Sequence, residues 1–153
     1  MKTPDTIMTI TDPLTDVLGY ELRRASIAVM ASLTKELEPL GLRPSEATML
    51  VVIGANPGCT QSDIARALRA KPANLVPLIN SLLKAGAVER VPGEGRALCL
   101  SLTEAGTQLH GQVRAAMARH EARITRRLSP DQQRQMIEVL RLVCKDACCD
   151  HSD

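Results

Sequence analysis

Apolar positions recur every three or four residues along most of this chain, the period of helices that bury one face. Leu18, Leu22, Ala25, Val29, Leu33 and Leu37 mark a long first helix, with Asp12 as N-cap, Pro13 at its first position and an end before Pro39 and Gly41. Ser45 is placed to cap a second helix through Gly54, after which Asn56-Pro57-Gly58 turns the chain. Thr60-Gln61-Ser62-Asp63 reads as a capping box with Asp in the place of Glu, opening a short helix with Ile64, Ala65 and Leu68 inward. Pro72 starts a fourth helix, whose Leu75, Leu78, Ile79, Leu82 and Leu83 face the core until Gly86 stops it.

The pattern changes at Ala87. Val88 to Val91 and Leu98 to Leu102 flank Pro92-Gly93-Glu94-Gly95-Arg96, which predicts two short strands around a Gly-rich tip. Thr103 then caps a helix to about Leu128, and Ser129-Pro130 begins a last one with Met136, Val139, Leu140 and Val143 on one face. The fold class is mainly α with a small β-hairpin wing. A short capped helix, a turn, a second helix and at once a hairpin describe a winged helix-turn-helix, whose second helix fits the major groove while the hairpin tip reaches the neighbouring backbone or minor groove.

With 153 residues, 44% of them hydrophobic, the chain suits a single domain spanning residues 1–153. Its formal net charge of +2 is too small to announce a polyanionic partner. Between Thr60 and Thr103, however, six basic residues (Arg66, Arg69, Lys71, Lys84, Arg90, Arg96) face three acidic ones (Asp63, Glu89, Glu94), a local footprint that suits phosphate neutralisation. Tyr20 is the sole aromatic residue, which argues against a stacking platform for single-stranded nucleic acid. The longest apolar run, Met49 to Ile53, is too short to span a bilayer and no leader pattern opens the chain, so a cytoplasmic protein without a membrane partner is expected. No His-Glu-x-x-His, phosphate loop, GxSxG elbow or dinucleotide glycine pattern is present, so no catalytic residue and no cofactor are expected.

The ordered set Leu42-Arg43-Pro44-Ser45-Glu46-Ala47, Thr60-Gln61-Ser62-Asp63-Ile64-Ala65, Leu82-Leu83-Lys84-Ala85-Gly86-Ala87-Val88-Glu89-Arg90, Arg96 and Ser101-Leu102-Thr103-Glu104-Ala105-Gly106 resembles the MarR family of bacterial transcriptional regulators, over about Leu14 to Val143. The resemblance implies a homodimer built from N- and C-terminal dimerisation helices (residues 12–40 and 103–147) and a winged helix-turn-helix lobe (residues 42–102). Each subunit would place one recognition helix in a half-site of a palindromic double-stranded operator, and repression of a small operon would be relieved by a ligand or an oxidant. The family's wing usually carries an Asp-x-Arg tip; Glu94-Gly95-Arg96 stands there in a shortened loop, with Arg96 in the minor-groove role. Where the family often offers Arg in the recognition helix, this chain has Pro72 and Pro77, and Pro77 is expected to bend the helix or shorten its contact.

The groups left to read bases are Asn74, which can pair bidentately with adenine, Ala73, which can touch a thymine methyl, and Asn80. Gln61 and Ser62 suit phosphate contacts, with Lys71, Lys84 and Arg90 as added point charges or simply solvated residues. The family's effectors, phenolic or aromatic carboxylic acids or acyl-CoA thioesters, bind between the dimer base and the lobe. Tyr20, Arg23, Arg24 and His110 are the nominated effector contacts; the Arg pair also suits a surface or dimer ion pair.

Cys59, Cys99, Cys144, Cys148 and Cys149 form an odd set, expected as free thiols and kept as redox candidates for a thiol-sensing repressor. Cys144, Cys148 and Cys149 with His151 crowd soft and imidazole ligands at one terminus, whereas structural sites pair cysteines across segments, so no metal is expected. A protein-binding helical module that no longer binds DNA is the further alternative, motivated by Pro77 and the thin base-reading surface.

Overall fold

The computed structural model describes residues 12–93 and 98–149, with side chains through Lys145. Helix α1 (Leu18–Leu37) runs through a 3-10 turn (Glu38–Leu40) into α2 (Pro44–Ala55), α3 (Gln61–Leu68) and α4 (Pro72–Lys84). Strands β1 (Val88–Pro92) and β2 (Leu98–Leu102) follow, then α5 (Glu104–Thr125) and α6 (Pro130–Cys149). The strands pair antiparallel with Val88 opposite Leu102 and Pro92 opposite Leu98, and Cys59 adds an isolated bridge to Leu100. This is the winged helix-turn-helix that the apolar period and the turn residues predict.

Local chemistry sets most boundaries. Thr60 Oγ1 accepts from the Asp63 amide at 3.2 Å while the Asp63 carboxylate accepts from the Thr60 amide at 3.0 Å, closing the reciprocal box that starts α3. Thr103 Oγ1 caps α5 by accepting from the Gly106 amide at 2.9 Å, and Ser129 and Gln132 exchange equivalent bonds at the start of α6. Gly86, at φ +68°, ends α4: its amide donates to the Leu83 carbonyl and that of Ala87 to the Leu82 carbonyl, both at 3.0 Å. A Cβ on Gly106 would stand 1.8 Å from the Ala87 carbonyl oxygen, so α5 packs onto the wing only because this position is bare.

Two starts differ from expectation. The first helix begins at Leu18, not after Asp12; Asp12 instead accepts from the Leu14 amide at 3.0 Å and from the Tyr20 hydroxyl at 2.8 Å, and residues 13–16 form a turn outside the helix. The second helix is not capped by Ser45, which lies inside it. Pro44 takes the first position, and the Glu46 carboxylate reaches back to the Arg43 amide at 2.9 Å.

The core is aliphatic. Helix α2 is apolar on nearly every side, as it must be with α1, α4, α5 and β2 around it. Leu37, Leu50, Ile53 and Val113 are fully shielded, each burial worth roughly 1.5–3 kcal/mol. Glu36 ties α1 to α5 by accepting from Arg119 and Arg123, both at 2.9 Å, which holds its carboxyl below the usual range. Among the described residues, none of α6 joins the core cluster, and none of α1 before Leu33 does so.

Candidate nucleic-acid interface

Helix α4 is amphipathic in the sense a groove-reading helix requires. Leu75, Ile79 and Leu82 are buried against the lobe, and Ala73, Asn74, Val76, Pro77, Asn80 and Lys84 face solvent. Ala73, Pro77, Asn80 and Lys84 fall at intervals of three or four and make one outward stripe, with Asn74 beside it. Lys71 stands exposed as the N-cap. Pro77 does not interrupt α4, which continues as one element to Lys84. Its cost is local: the Ala73 carbonyl, which would receive the amide of residue 77, has no N–H to accept from.

The preceding helix supports this one. Gln61 is half-buried and its Nε2 donates to the Pro72 carbonyl at 3.2 Å, so it pins the entry to α4, while Ser62 is exposed in the first turn of α3. The turn between the two helices holds Arg69 at φ 49°, a left-handed conformation that glycine adopts more cheaply. Arg90 is exposed on β1, while Arg96 and Glu94 at the wing tip lie outside the described residues.

The nominated effector groups do not converge within one protomer. Tyr20 donates to Asp12, which raises the phenol above its ordinary range. Arg24 stands 5.6 Å from the Tyr20 ring centroid and pairs with Glu21 at 3.1 Å, and Arg23 is exposed without an ion pair among the described residues. His110 lies elsewhere, packed so closely on α2 that a Cβ at Gly54 would come within 2.8 Å of its ring. Because Glu36 meets Arg119 and Ser32 meets Arg123, α1 and α5 run antiparallel. At the helical rise, Tyr20 and His110 are then roughly 35 Å apart along the pair. A 440 Å³ cleft lined by Val52, Asn56, Cys59, Asp63 and Arg66, and an open 470 Å³ groove at Ser32, Arg123, Ile124, Arg126 and Arg127, touch none of the four.

The thiols divide by environment. Cys99 is buried and Cys59 half-buried, and burial pushes the Cys59 thiol up, which lowers its thiolate fraction. Cys144 is exposed on α6. The side chains of Cys148 and Cys149, and all of His151, lie outside the described residues.

Residues 40–97 match the MarR family profile. A transcriptional regulatory protein for the hcr operon of Thauera aromatica is 31% identical over 127 residues, covering 81% of this chain and 76% of its own length. The transcriptional repressor Rv2887 of Mycobacterium tuberculosis is 30% identical over 131 residues, covering 84% and 94%. The chain belongs to the MarR family. Among solved structures of the family, the repressor CouR bound to a 23-mer DNA duplex superposes with a TM-score of 0.81 at 28% identity, over 90% of this chain and 99% of that one.

As a MarR-family member the chain is a DNA-binding transcriptional regulator. Among the described residues, no helix is long and apolar enough to cross a membrane. Three residues of this MarR lobe escaped the sequence reading of the site. Arg43, Glu46 and Ser81 come together where α2 begins beside the last turns of α4. The Arg-Pro-Ser-Glu run did carry a local signal, a Glu at the third helical position after a Pro start, but nothing local points to Ser81.

Proposed function

We propose that this protein is a homodimeric repressor of a small operon, displaced from a palindromic site by an aromatic carboxylic acid or its CoA thioester. The observation that carries the reading is α4 itself, a helix buried on Leu75, Ile79 and Leu82 that turns Ala73, Asn74, Pro77 and Asn80 outward. The effector class rests on relatives: CouR is known bound to p-coumaroyl-CoA and Rv2887 bound to salicylic acid. The dimer rests on the apolar faces of α1 and α6, where Leu18, Ile27, Met136, Val139 and Leu142 stand exposed without a partner in the protomer.

In this reading residues 12–40 and 103–147 supply the dimer base, and residues 42–102 read DNA. Asn74 pairs with adenine, Ala73 contacts a thymine methyl and Asn80 reads the next turn. Ser62, Lys71, Lys84, Arg90 and Arg96 hold phosphates, and Gln61 holds the recognition helix in place. With Tyr20, Arg23 and Arg24 at one end of the α1–α5 pair and His110 near the other, they belong to one effector site only if two protomers share it. The effector acts by favouring an arrangement of the two lobes that does not fit the operator spacing.

The test is binding of the purified, reduced protein to the DNA upstream of its own coding sequence at two salt concentrations, with and without aromatic acids and their CoA thioesters. Sequence-selective, salt-dependent binding released by one compound is the expected result, with Asn74→Ala weakening operator binding by about tenfold or more. Binding that ignores sequence, or that no compound releases, overturns the reading.

A further inference from the structure

Glu46 is 5% exposed, yet its carboxylate takes three donors. Oε2 accepts from the Arg43 amide at 2.9 Å, and Oε1 accepts from the Arg43 guanidinium at 2.8 Å and from the Ser81 hydroxyl at 2.7 Å. The first two bonds are local and close the start of α2. The third crosses 35 residues to the recognition helix.

A serine inside a helix ordinarily folds its hydroxyl back on the carbonyl four residues earlier or gives it to water. Ser81 does neither; its hydroxyl goes to a buried carboxylate, which makes a short, charge-assisted bond. The other end of the same helix is held from outside too, by Gln61 Nε2 on the Pro72 carbonyl at 3.2 Å. Between the two ties sits Pro77, where the helix lacks one of its own backbone bonds. Arg43, in turn, stands two residues after Gly41 (φ +67°), which closes the 3-10 turn that follows α1. The chain therefore runs from α1 through Arg43 and Glu46 to Ser81 with no gap in covalent or hydrogen-bonded contact.

We propose that Glu46 and Ser81 are positioning residues for DNA recognition: the buried carboxylate fixes the C-terminal half of α4 against α2, and thereby sets the angle at which Asn74, Pro77 and Asn80 meet a groove. Neither residue touches DNA in this account; Ser81 acts through the helix and Glu46 through Ser81. The proposal rests on the reading of α4 as the recognition helix.

The experiment compares wild type, Ser81→Ala and Ser81→Thr for binding to the upstream operator and to unrelated duplex, alongside amide hydrogen exchange of α4. Ser81→Ala is expected to lose about tenfold in the ratio of the two affinities, the scale of one charge-assisted hydrogen bond. Its binding to unrelated DNA and its salt dependence stay as in wild type, because no phosphate contact is removed. Exchange should quicken in the last turns of α4, and Ser81→Thr, which keeps the hydroxyl, should restore both readouts. Wild-type selectivity and wild-type exchange in Ser81→Ala overturn the proposal. Should the wild type itself show no preference for the operator, the DNA reading fails, and unchanged exchange in Ser81→Ala would then dismiss the tie as well.

Discussion

In the winged-helix lobe Leu50, Ile53, Ile64, Ile79 and Leu82 are all shielded, whereas on α6 Met136 is 50% exposed, Val139 51% and Leu142 62%. The two regions are built from the same aliphatic residues with the same helical period. They differ in whether the protomer supplies a facing surface: α2 finds α1, α4, α5 and β2, and α6 finds no substantial partner among the described residues. A lobe of this kind is complete as one chain. An arm with a bare apolar stripe is half of a packing unit, and in the proposed function a second copy supplies the other half.

Breaking the arm should give the largest effect. Leu140→Asp puts a charge on the α6 stripe, and sedimentation is expected to show a monomer whose operator binding falls by roughly a hundredfold or more, since two half-sites are no longer held together. A dimer that survives this change has its interface elsewhere. The lobe should fail differently. Leu50→Ala empties a fully buried position and is expected to cost about 2–5 kcal/mol in urea unfolding, far more than Met136→Ala measured on the monomeric background, where the side chain is already half in water.

Glu46 sharpens the contrast through pH. Arg43 foremost, with the Arg43 amide and Ser81, holds its carboxyl down to about 2 from an ordinary 4.5, against the opposing pull of burial. A depressed folded value means stabilisation fully present above about 4.5 and lost as pH falls towards 2, worth roughly 3 kcal/mol at neutral pH. Glu46→Gln should therefore lower stability at pH 7 and flatten the acid limb between those values; an acid limb as steep as wild type's would assign it to other carboxylates. The smallest effect is a gain. Arg69→Gly relieves the left-handed turn between α3 and α4 and should add up to about 1 kcal/mol to the lobe, read as a small rise in melting temperature.

The order of elements was legible because its signals are short-range. Thr60 with Asp63, Thr103 with Gly106 and Ser129 with Gln132 each act across three residues, and the apolar period is a property of one helix at a time. The family resemblance rests on those same runs. Where reading failed, it failed at local competition: Asp12 could cap a helix or bond its own turn, and it bonds Leu14 and Tyr20; Ser45 could cap, but Pro44 and Glu46 claim the start. The outward face of α4 followed from the period, and the family resemblance made Asn74 and Asn80 its base-reading candidates.

What the sequence by itself determined, then, is the winged helix-turn-helix, the caps at Thr60, Thr103 and Ser129, and which residues of α4 turn away from the core. Only the tertiary structure decided which distant groups meet. Ser81 reaches Glu46, Glu36 takes Arg119 and Arg123, and the α1 cluster of Tyr20, Arg23 and Arg24 is held far from His110. A residue's helical face is fixed by angles repeated over a few positions, whereas its partner across the fold depends on how whole helices pack and in which direction they run.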